Sequence, residues 1–383
     1  MTDEWIMTTL RRAALLIGLL LVGVGCATMP QTQVTEMVWP APPLAPRIRF
    51  EGLLRNSRDL KRSPRDLFQE ALFGMKRLPD SLTQPMGLAT SRDGTRLYVA
   101  DYGKPGVFIF DFKTQQMSPL GAASDLKAPF GVAVDDQDAI YVSDSSLRLI
   151  RVFDADGKVL RDITHESLER PTGIAIDAAR HRLYVSDSSR SKSEHHSVLL
   201  FDLNGTYQRA LGKQGNKPGE FFFPTYLAVD TEGNLYVADT LNGRLQVLSP
   251  EGEYLKTIGE RGDAYGMFDK PKGVALDKFG NVYVADSGWS NVQIFNQHGD
   301  VLLFFGGRGH FPGLLFNPTG IAIDRNNRIY VADAFNGRVG IYQLMNTTAQ
   351  DSFAEATKSA AAASTPTTAV QTTEQPVNSK GGE

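Results

Sequence analysis

Six aspartates stand at equivalent places along the sequence, each closing a Tyr-Val-Ala-Asp tetrapeptide or a close variant. They are Asp101, Asp144, Asp187, Asp239, Asp286 and Asp333. Carboxylates gathered in a ring could bind a divalent cation or serve as general acid and base. Each aspartate also ends an apolar run, where it could accept hydrogen bonds from the following turn. The regular placement favours this structural role, with Arg244 and Arg338 as ion-pair partners.

These aspartates belong to an internal repeat that occurs six times. Each unit opens on Pro-x-Gly or a variant and continues through the tetrapeptide, a second apolar run, a turn and an outer apolar run. The opening prolines are Pro85, Pro129, Pro171, Pro224, Pro271 and Pro318. Alternating Val, Ile, Tyr and Phe between Gly, Asn and Asp turns predict four antiparallel strands per unit. Such a unit, repeated every 40 to 50 residues or so, is typical of a propeller blade. The predicted fold class is all-β, a six-bladed β-propeller.

The sixth unit lacks an outer strand after Leu344. Near the other end of the chain, the segment Pro46–Leu54 alternates Ile48 and Phe50 with charged residues and has no blade of its own. Pairing this segment with Val339–Leu344 would complete the sixth blade, because a closed ring leaves no free edge. The sequence therefore predicts that a strand from near the N-terminus closes the propeller.

The sequence before the propeller suggests membrane attachment. Two arginines, a short apolar segment and Cys26, the sole cysteine, make residues 1–26 similar to a bacterial lipoprotein signal that ends at a lipidated cysteine. An uncleaved anchor and ordinary cleavage remain alternatives, and translation could begin at Met1 or at Met7. We expect a lipid-anchored protein of the bacterial cell envelope, at the outer membrane or facing the periplasm.

The remaining segments divide the chain as follows. Residues 27–45, rich in Pro, Thr and Gln, are predicted to be an extended linker, and residues 46–344 form the propeller. Residues 345–383 have too few large apolar residues to fold alone and are predicted to be disordered. A helical insert is expected at about 63–75, starting at Ser63 and Pro64. Its apolar face comprises Leu67, Phe68, Ala71, Leu72 and Met75. This helix could cover the ring, bind a partner or lie on a membrane surface.

The Pro-x-Gly-Ile/Val-Ala-Ile/Val-Asp opening, with Tyr-Val-Ala-Asp and Asn-Gly-Arg, resembles the NHL-repeat family of six-bladed propellers. The resemblance recurs in register from about Leu82 to Leu344. It implies a propeller that serves as a binding scaffold, without implying one activity, because propellers of this kind host receptors, RNA binders, lyases and lactonases.

Two enzyme classes with similar propellers were weighed. Gluconolactonase-type propellers hold a divalent metal in the axial channel, but the opening tripeptides here, such as PFG, PTG and PKG, offer no matching asparagine. Amidating-lyase propellers need channel histidines for zinc, and no histidine here falls on a predicted innermost strand. His195 and His196, in a long connection, are weak candidate metal ligands. The sequence predicts no cofactor and favours a binding module over an enzyme.

Five residues that break the repeat are the candidate ligand-binding positions. Tyr226 replaces the opening glycine, Phe130 and Lys272 are variable opening residues, and Trp289 and Phe335 lie in turns after the tetrapeptide. We expect them at the end of the propeller that carries these turns and the interblade connections. In the alternative interpretation, Tyr226 fills a void and Trp289 packs against the helical insert.

The net charge of −3 is a weak argument against nucleic-acid binding, which usually requires a clearly basic surface. The predicted function is an envelope-tethered propeller that binds or scaffolds a protein or another envelope ligand. The alternative is a metal-dependent lactonase or lyase with its site in the channel. The sequence leaves the ligand and the oligomeric state open.

Overall fold

Six antiparallel sheets form the ring that the repeat predicts. The structure is a computed structural model, and it describes residues 36–73, 78–122, 125–189 and 196–346. Each sheet has four consecutive strands except the last, which has five because two N-terminal strands join it. The predicted fold class, a six-bladed β-propeller, is confirmed.

The strand bounds follow the repeat closely. In blade 1 the strands are Pro85–Thr90, Arg96–Asp101, Gly106–Asp111 and Gln116–Pro119. In blade 2 they are Pro129–Val134, Ile140–Asp144, Leu149–Phe153 and Val159–Ile163. In blade 3 they are Pro171–Asp177, Arg182–Ser188, His196–Asp202 and Tyr207–Leu211. In blade 4 they are Pro224–Val229, Leu235–Asp239, Arg244–Leu248 and Tyr254–Ile258.

Blades 5 and 6 complete the ring. In blade 5 the strands are Pro271–Leu276, Val282–Asp286, Asn291–Phe295 and Val301–Gly306. In blade 6 they are Pro318–Ile323, Arg328–Asp333, Arg338–Leu344, Ile48–Leu54 and Val38–Trp39. Short 3-10 turns are formed by Ser57–Lys61, Thr240–Asn242 and Ala334–Asn336. The core is divided into clusters that each join neighbouring blades, as expected when every blade buries its faces against the next.

The predicted closure of blade 6 is confirmed. Ile48–Leu54, the closing strand, pairs antiparallel with Arg338–Leu344, and Ile48 lies opposite Leu344. Its apolar side chains are almost fully buried. Burial of an aliphatic or aromatic side chain contributes about 1.5–3 kcal/mol. The closing strand therefore contributes a substantial share of the stability of the ring.

A further strand, Val38–Trp39, pairs with the outside of the closing strand. It lies within residues 27–45, so the prediction of an extended linker is wrong for this part of the segment. Trp39 packs its ring 5.9 Å from Phe305 and 5.8 Å from Tyr342. The burial of this aromatic surface explains why part of a proline-rich segment is held against the propeller.

The tetrapeptide aspartates have the structural role that the sequence favours. All six are buried. Asp333 accepts hydrogen bonds from the backbone N–H of Phe316 at 2.6 Å and from Nε of Arg338 at 2.7 Å. Asp239 accepts one from Nε of Arg244 at 2.8 Å, so the two predicted ion pairs are confirmed. Each aspartate thus ties its blade to the interblade connection before it.

Asp187 of blade 3 is held by backbone N–H groups of the preceding connection, as are Asp101, Asp144 and Asp286. Its carboxylate accepts hydrogen bonds from the backbone N–H groups of Glu169 and Arg170, at 2.9 Å each. Burial raises the pKa of Asp187 to about 7, although these two hydrogen bonds oppose the shift. Asp187 is therefore a buried carboxyl that can carry a proton near neutral pH.

The insert between the closing strand and blade 1 contains one helix, α1, at Pro64–Phe73. Ser63 caps it: the Ser63 hydroxyl lies 2.8 Å from the Asp66 carboxylate, which also accepts the Ser63 backbone N–H. In the part of the chain that the structure describes, no helix has the length and apolar character required to cross a membrane.

Helix α1 docks on the ring through a narrower face than the sequence predicts. Leu67 is buried over Gly52, and Phe68 packs edge-on against Phe50 with ring centroids 6.1 Å apart. Leu72, predicted to belong to this face, is 69% exposed. The reason is geometric, because a residue five positions after Leu67 lies about 140° further around the helix. Met75 and Gly74 lie outside the described residues.

A candidate ligand-binding face

The turns between second and third strands lie at the same end of the ring as the interblade connections, because successive strands of each blade are antiparallel. The insert links blade 6 to blade 1 and therefore joins this end. We call it the connection face. Trp289 and Phe335 lie in its turns, and Phe130, Tyr226 and Lys272 lie where first strands begin at this end of the axis.

The first strands of the six blades contact one another in turn around the axis, and each has its second residue at the connection face. These second residues are Met86, Phe130, Thr172, Thr225, Lys272 and Thr319. The first strands pack so closely that a Cβ added to Gly131 would lie 2.3 Å from the carbonyl oxygen of Thr172. Only glycine fits such a backbone approach. In blade 4 the equivalent position is Tyr226, and its side chain lies inside the ring.

Tyr226 and Phe130 fill the axis together. Their rings stack with centroids 5.4 Å apart and an interplanar angle of 28°, and both pack with Met86. Each is less than one tenth exposed, and burial raises the pKa of Tyr226 well above its ordinary value. The structure therefore places these two predicted contact residues in the interior, where they pack against each other across the ring.

Lys272 lies beside this pair and is half-buried. Its ammonium group donates a hydrogen bond to the side-chain oxygen of Asn317 at 3.2 Å. Burial and, to a smaller extent, the charge of Lys270 lower the pKa of Lys272 to about 8. Lys272 thus places a positive charge close to the axis at the connection face.

The side chains around the axis do not fit a divalent metal. None of the six is a carboxylate, histidine or cysteine, the groups that bind such ions in proteins. Across residues 36–346, apart from the gaps in the description, no three or more such groups converge on a common point. A channel metal of the gluconolactonase kind therefore has no ligand set here among the described residues.

The predicted metal candidates do not form a site in the described residues. His196 is buried between Phe222 and Phe223, with ring centroids 5.4 and 4.6 Å away. Its Nδ1 accepts the backbone N–H of Phe223 at 3.3 Å, and its Nε2 lies 3.3 Å from the carbonyl oxygen of Ser189. Burial lowers its pKa, so the neutral ring links two connections. His195 lies outside the described residues.

Trp289 lines a cleft on blade 5 of about 200 Å³. Its indole Nε1 donates a hydrogen bond to the carbonyl oxygen of Gly262 at 3.2 Å. Tyr265 and Phe304 line the same cleft, with their rings edge-to-face at 5.3 Å, and all three aromatic side chains are nearly half exposed. The alternative in which Trp289 packs against the insert is not what the structure shows, because α1 packs on Phe50 and Phe311.

Phe335 lines a second cleft, between the insert and blade 6, which we call the insert cleft. It encloses about 350 Å³, and Phe335, at 59% exposure, is its most prominent apolar side chain. Four arginines line it. They are Arg55, Arg58, Arg62 and Arg338.

An ion-pair network orders the insert cleft. Glu70 of α1 lies 2.8 Å from Arg55 and 2.6 Å from Arg62, and Asp59 lies 2.8 Å from Arg55. Arg58 is exposed at its edge. The sequence analysis missed these arginines, although five basic residues between positions 55 and 65 were a visible signal.

Three family models match parts of the chain. The model described as SMP-30/Gluconolactonase/LRE-like region matches residues 62–189, and the model described as 6-bladed beta-propeller matches residues 174–259. The NHL repeat model matches residues 317–342. With the six sheets of the structure, these matches show a six-bladed β-propeller whose sixth blade matches the NHL repeat, as the sequence predicts.

Among curated proteins, a gluconolactonase of Zymomonas mobilis subsp. mobilis is 26% identical over 187 residues, covering 43% of this chain. The match spans about half of that protein, 51%.

The fold is similar to several solved structures. A Bacteroides thetaiotaomicron protein of unknown function matches with a TM-score of 0.56 and 16% identity over 70% of each chain. A nidogen/laminin complex contains a chain with a TM-score of 0.53 and 20% identity, over 75% of this chain and 98% of that chain. A streptogramin B lyase matches with a TM-score of 0.52 and 10% identity, over 70% of this chain and 95% of that chain. At such low identities the likeness shows the fold alone.

Proposed function

We propose that the protein is a binding or scaffolding module that recognises a protein or another envelope ligand through the connection face. The observation that supports this function is the contrast at that face: aromatic side chains fill the axis, whereas two clefts with exposed aromatic walls open nearer the rim. Exposed aromatic and arginine side chains are the types that most often dominate binding energy at interfaces.

The insert cleft is the first contact site in this proposal. Its arginines outnumber the carboxylates that pair with them, and Arg58 lies exposed beside Phe335. Guanidinium groups form paired, charge-assisted hydrogen bonds with carboxylates and phosphates. The cleft therefore suits a ligand that presents an anionic group next to an apolar surface.

Site-specific photocrosslinking in intact cells tests this proposal. A photoreactive amino acid at position 335 should form a covalent adduct with a partner, and Arg58→Glu should weaken that adduct several-fold. The matched control is position 160, because Leu160 is also exposed but belongs to the outer strand of blade 2, away from the connection face. Absence of an adduct at position 335, or equal adducts at both positions, would contradict the proposal.

We also propose that a lipid on Cys26 attaches the module to the envelope membrane, at the outer membrane or facing the periplasm. The support is the apolar segment that ends at this cysteine. Wild-type protein should incorporate a labelled acyl chain in a bacterial host, and Cys26→Ser should not. Wild-type protein that carries no label and is released after cleavage would overturn this part of the proposal.

A second candidate function is lactone hydrolysis in the axial channel. It is favoured by the matching gluconolactonase-like family model and by the Zymomonas mobilis relative. Two observations argue against it: Phe130 and Tyr226 stack across the axis at the connection face, and the described residues contain no cluster of metal-ligating side chains. Hydrolysis of glucono-1,5-lactone that is lost with a chelator and restored by a divalent cation would establish this function. Turnover equal to that of a denatured sample would exclude it for this substrate.

A further inference from the structure

Blades 4, 5 and 6 share one design at the connection face, and blade 5 lacks one part of it. In all three, the interblade connection forms an isolated parallel bridge that precedes the first strand. In blades 4 and 6 the turn after the tetrapeptide aspartate reads Asn-Gly-Arg, whereas in blade 5 it reads Trp-Ser-Asn. The three connections and turns can therefore be compared position by position.

The arginine of this turn binds the connection as well as the aspartate. Arg338 donates hydrogen bonds to the carbonyl oxygens of His310, Phe311 and Leu314 at 2.8–3.0 Å, besides its contact with Asp333. It is almost completely buried. A guanidinium group thus occupies a site built from backbone carbonyl oxygens and one carboxylate.

Blade 4 repeats this arrangement. Arg244 donates hydrogen bonds to the carbonyl oxygens of Lys217 and Glu220, at 2.9 Å each, besides its contact with Asp239. The guanidinium site is therefore a property of the repeat rather than of one blade.

Blade 5 keeps the backbone of this turn but not its arginine. Ser290 has φ of 57°, close to 66° at Gly243 and 62° at Gly337. Trp289 donates to the carbonyl oxygen of Gly262, as Asn242 donates to that of Gly215. The turn therefore has the same shape, and a shorter side chain stands at the arginine position.

That shorter side chain is Asn291, which lines the blade 5 cleft. Its Oδ1 is buried and has no hydrogen-bond partner among the described residues. A buried acceptor without a donor destabilises the protein, so it favours any ligand that supplies a donor. An unsatisfied acceptor thus lies where blades 4 and 6 place a guanidinium donor.

The cleft is lined by the residues that correspond to the arginine-binding segment in the other blades. Asp263 and Ala264 correspond to His310 and Phe311, and both line the cleft. Asp263 adds a carboxylate, and the walls are the rings of Tyr265, Trp289 and Phe304. Aromatic rings, carbonyl oxygens and a carboxylate together suit a planar cation that can stack and donate hydrogen bonds.

We propose that the blade 5 cleft binds the guanidinium group of an arginine side chain presented by a protein partner, which takes the place of the arginine that the repeat lacks here. The inference rests on the proposed recognition role of the connection face and names one chemical feature of the partner. The cleft volume of about 200 Å³ is large enough for a guanidinium group.

The probe for this proposal is N-acetyl-L-arginine amide, compared by calorimetry and NMR titration with the corresponding citrulline and lysine derivatives. Citrulline has nearly the same shape without the charge. We expect the arginine derivative to bind at least tenfold more tightly than the citrulline derivative. Equal affinities, or no binding of the arginine derivative at millimolar concentration, would overturn the proposal.

Two variants place the binding in the cleft. Asn291→Arg supplies the missing side chain from within the chain, so it should abolish binding of the probe while maintaining or raising the Tm. His298→Arg adds the same charge at the opposite end of blade 5 and should bind the probe like the wild type. Trp289→Ala should weaken binding at least tenfold, and it replaces Asn291→Arg as the test if that variant does not fold.

Wild-type affinity for the probe in Asn291→Arg or in Trp289→Ala would overturn the proposed site. Crosslinking at position 335 tests the recognition function separately, so failure of one does not imply failure of the other.

Discussion

The axis of the propeller and its connection face are built from the same short turns and strand ends, yet they have opposite chemistry. At the axis, Phe130 and Tyr226 stack in the interior, and in the other five blades glycine is required at the position of Tyr226. Toward the rim, Trp289 and Phe335 are exposed on turns that hydrogen bonds to the buried Asp286 and Asp333 hold in place. This difference indicates that stability and recognition depend on different side chains. Substitutions at the axis should therefore lower stability, whereas substitutions at the exposed turns should weaken binding.

The largest expected effect is on the interior, from removal of residues 36–54. The deletion removes the buried side chains Ile48, Phe50, Leu53 and Leu54 and exposes the edge of blade 6. We expect the free energy of unfolding to fall by about 6 kcal/mol or more, or cooperative unfolding to be lost. Urea titration followed by circular dichroism measures this. Truncation after residue 350 is the control and should leave the urea midpoint unchanged, whereas an unchanged midpoint in the 36–54 deletion would refute closure by this strand.

The next largest effect is expected for Tyr226→Gly, which changes the axis without changing the exposed turns of the connection face. Tyr226→Gly restores the glycine of the other blades but leaves a cavity beside Phe130, so the free energy of unfolding should fall by about 3–5 kcal/mol. Crosslinking at position 335 should persist at a temperature where the variant is folded. Loss of crosslinking in the folded variant, with little change in Tm, would show that Tyr226 belongs to the binding site instead.

Asp187 predicts a pH dependence that arises in the interior. The pKa of Asp187 is about 7 in the folded protein and near 4 in an unfolded chain. Between these values the folded state retains a proton that the unfolded state releases, so stability declines as the pH rises from about 4 to 7. Over this whole range the free energy of unfolding should fall by roughly 4 kcal/mol. Urea midpoints at pH 5 and pH 8 should differ less for Asp187→Asn than for the wild type. Asp300→Asn, on an exposed turn, should keep the wild-type difference.

The smallest effect concerns helix α1. Leu72→Gln should change the free energy of unfolding by less than about 0.5 kcal/mol, because Leu72 is mostly exposed. Leu67→Gln is the contrasting variant and should destabilise the protein by about 2–4 kcal/mol, because it places a polar group in a buried site. Thermal denaturation of both variants measures these losses of stability. Comparable losses would show that Leu72 belongs to the docking face, as the sequence predicts.

The architecture was predictable because six copies of one pattern specify six similar blades. The incomplete sixth unit also predicted the closing strand, and the turn chemistry predicted the buried aspartates. Val38–Trp39 was missed because prolines surround it, and only the position of Phe305 and Tyr342 explains its pairing. The sequence around Val38–Trp39 gives no information about where those two rings lie.

The candidate site was less predictable than the fold. A break in the repeat marked Tyr226 and Trp289 equally, yet one lies in the interior and the other on a cleft. The insert cleft joins residues near position 58 with residues near 335, so no local pattern reveals it. The meaning of Asn291 became clear only from the hydrogen bonds of Arg338 in the next blade.

The closing strand also imposes an order on biosynthesis. Asn346 donates a hydrogen bond to the carbonyl oxygen of Pro46, 300 residues away in the chain, and the closing strand has its partner only in Arg338–Leu344 and the short strand before it. Residues 48–54 leave the ribosome before any of the six blades. They remain unpaired until nearly the entire ring has been translated. Until then the nascent propeller has two open edges, which are surfaces prone to association. A chaperone that shields these edges during translation should therefore affect the yield of this protein more than its final stability.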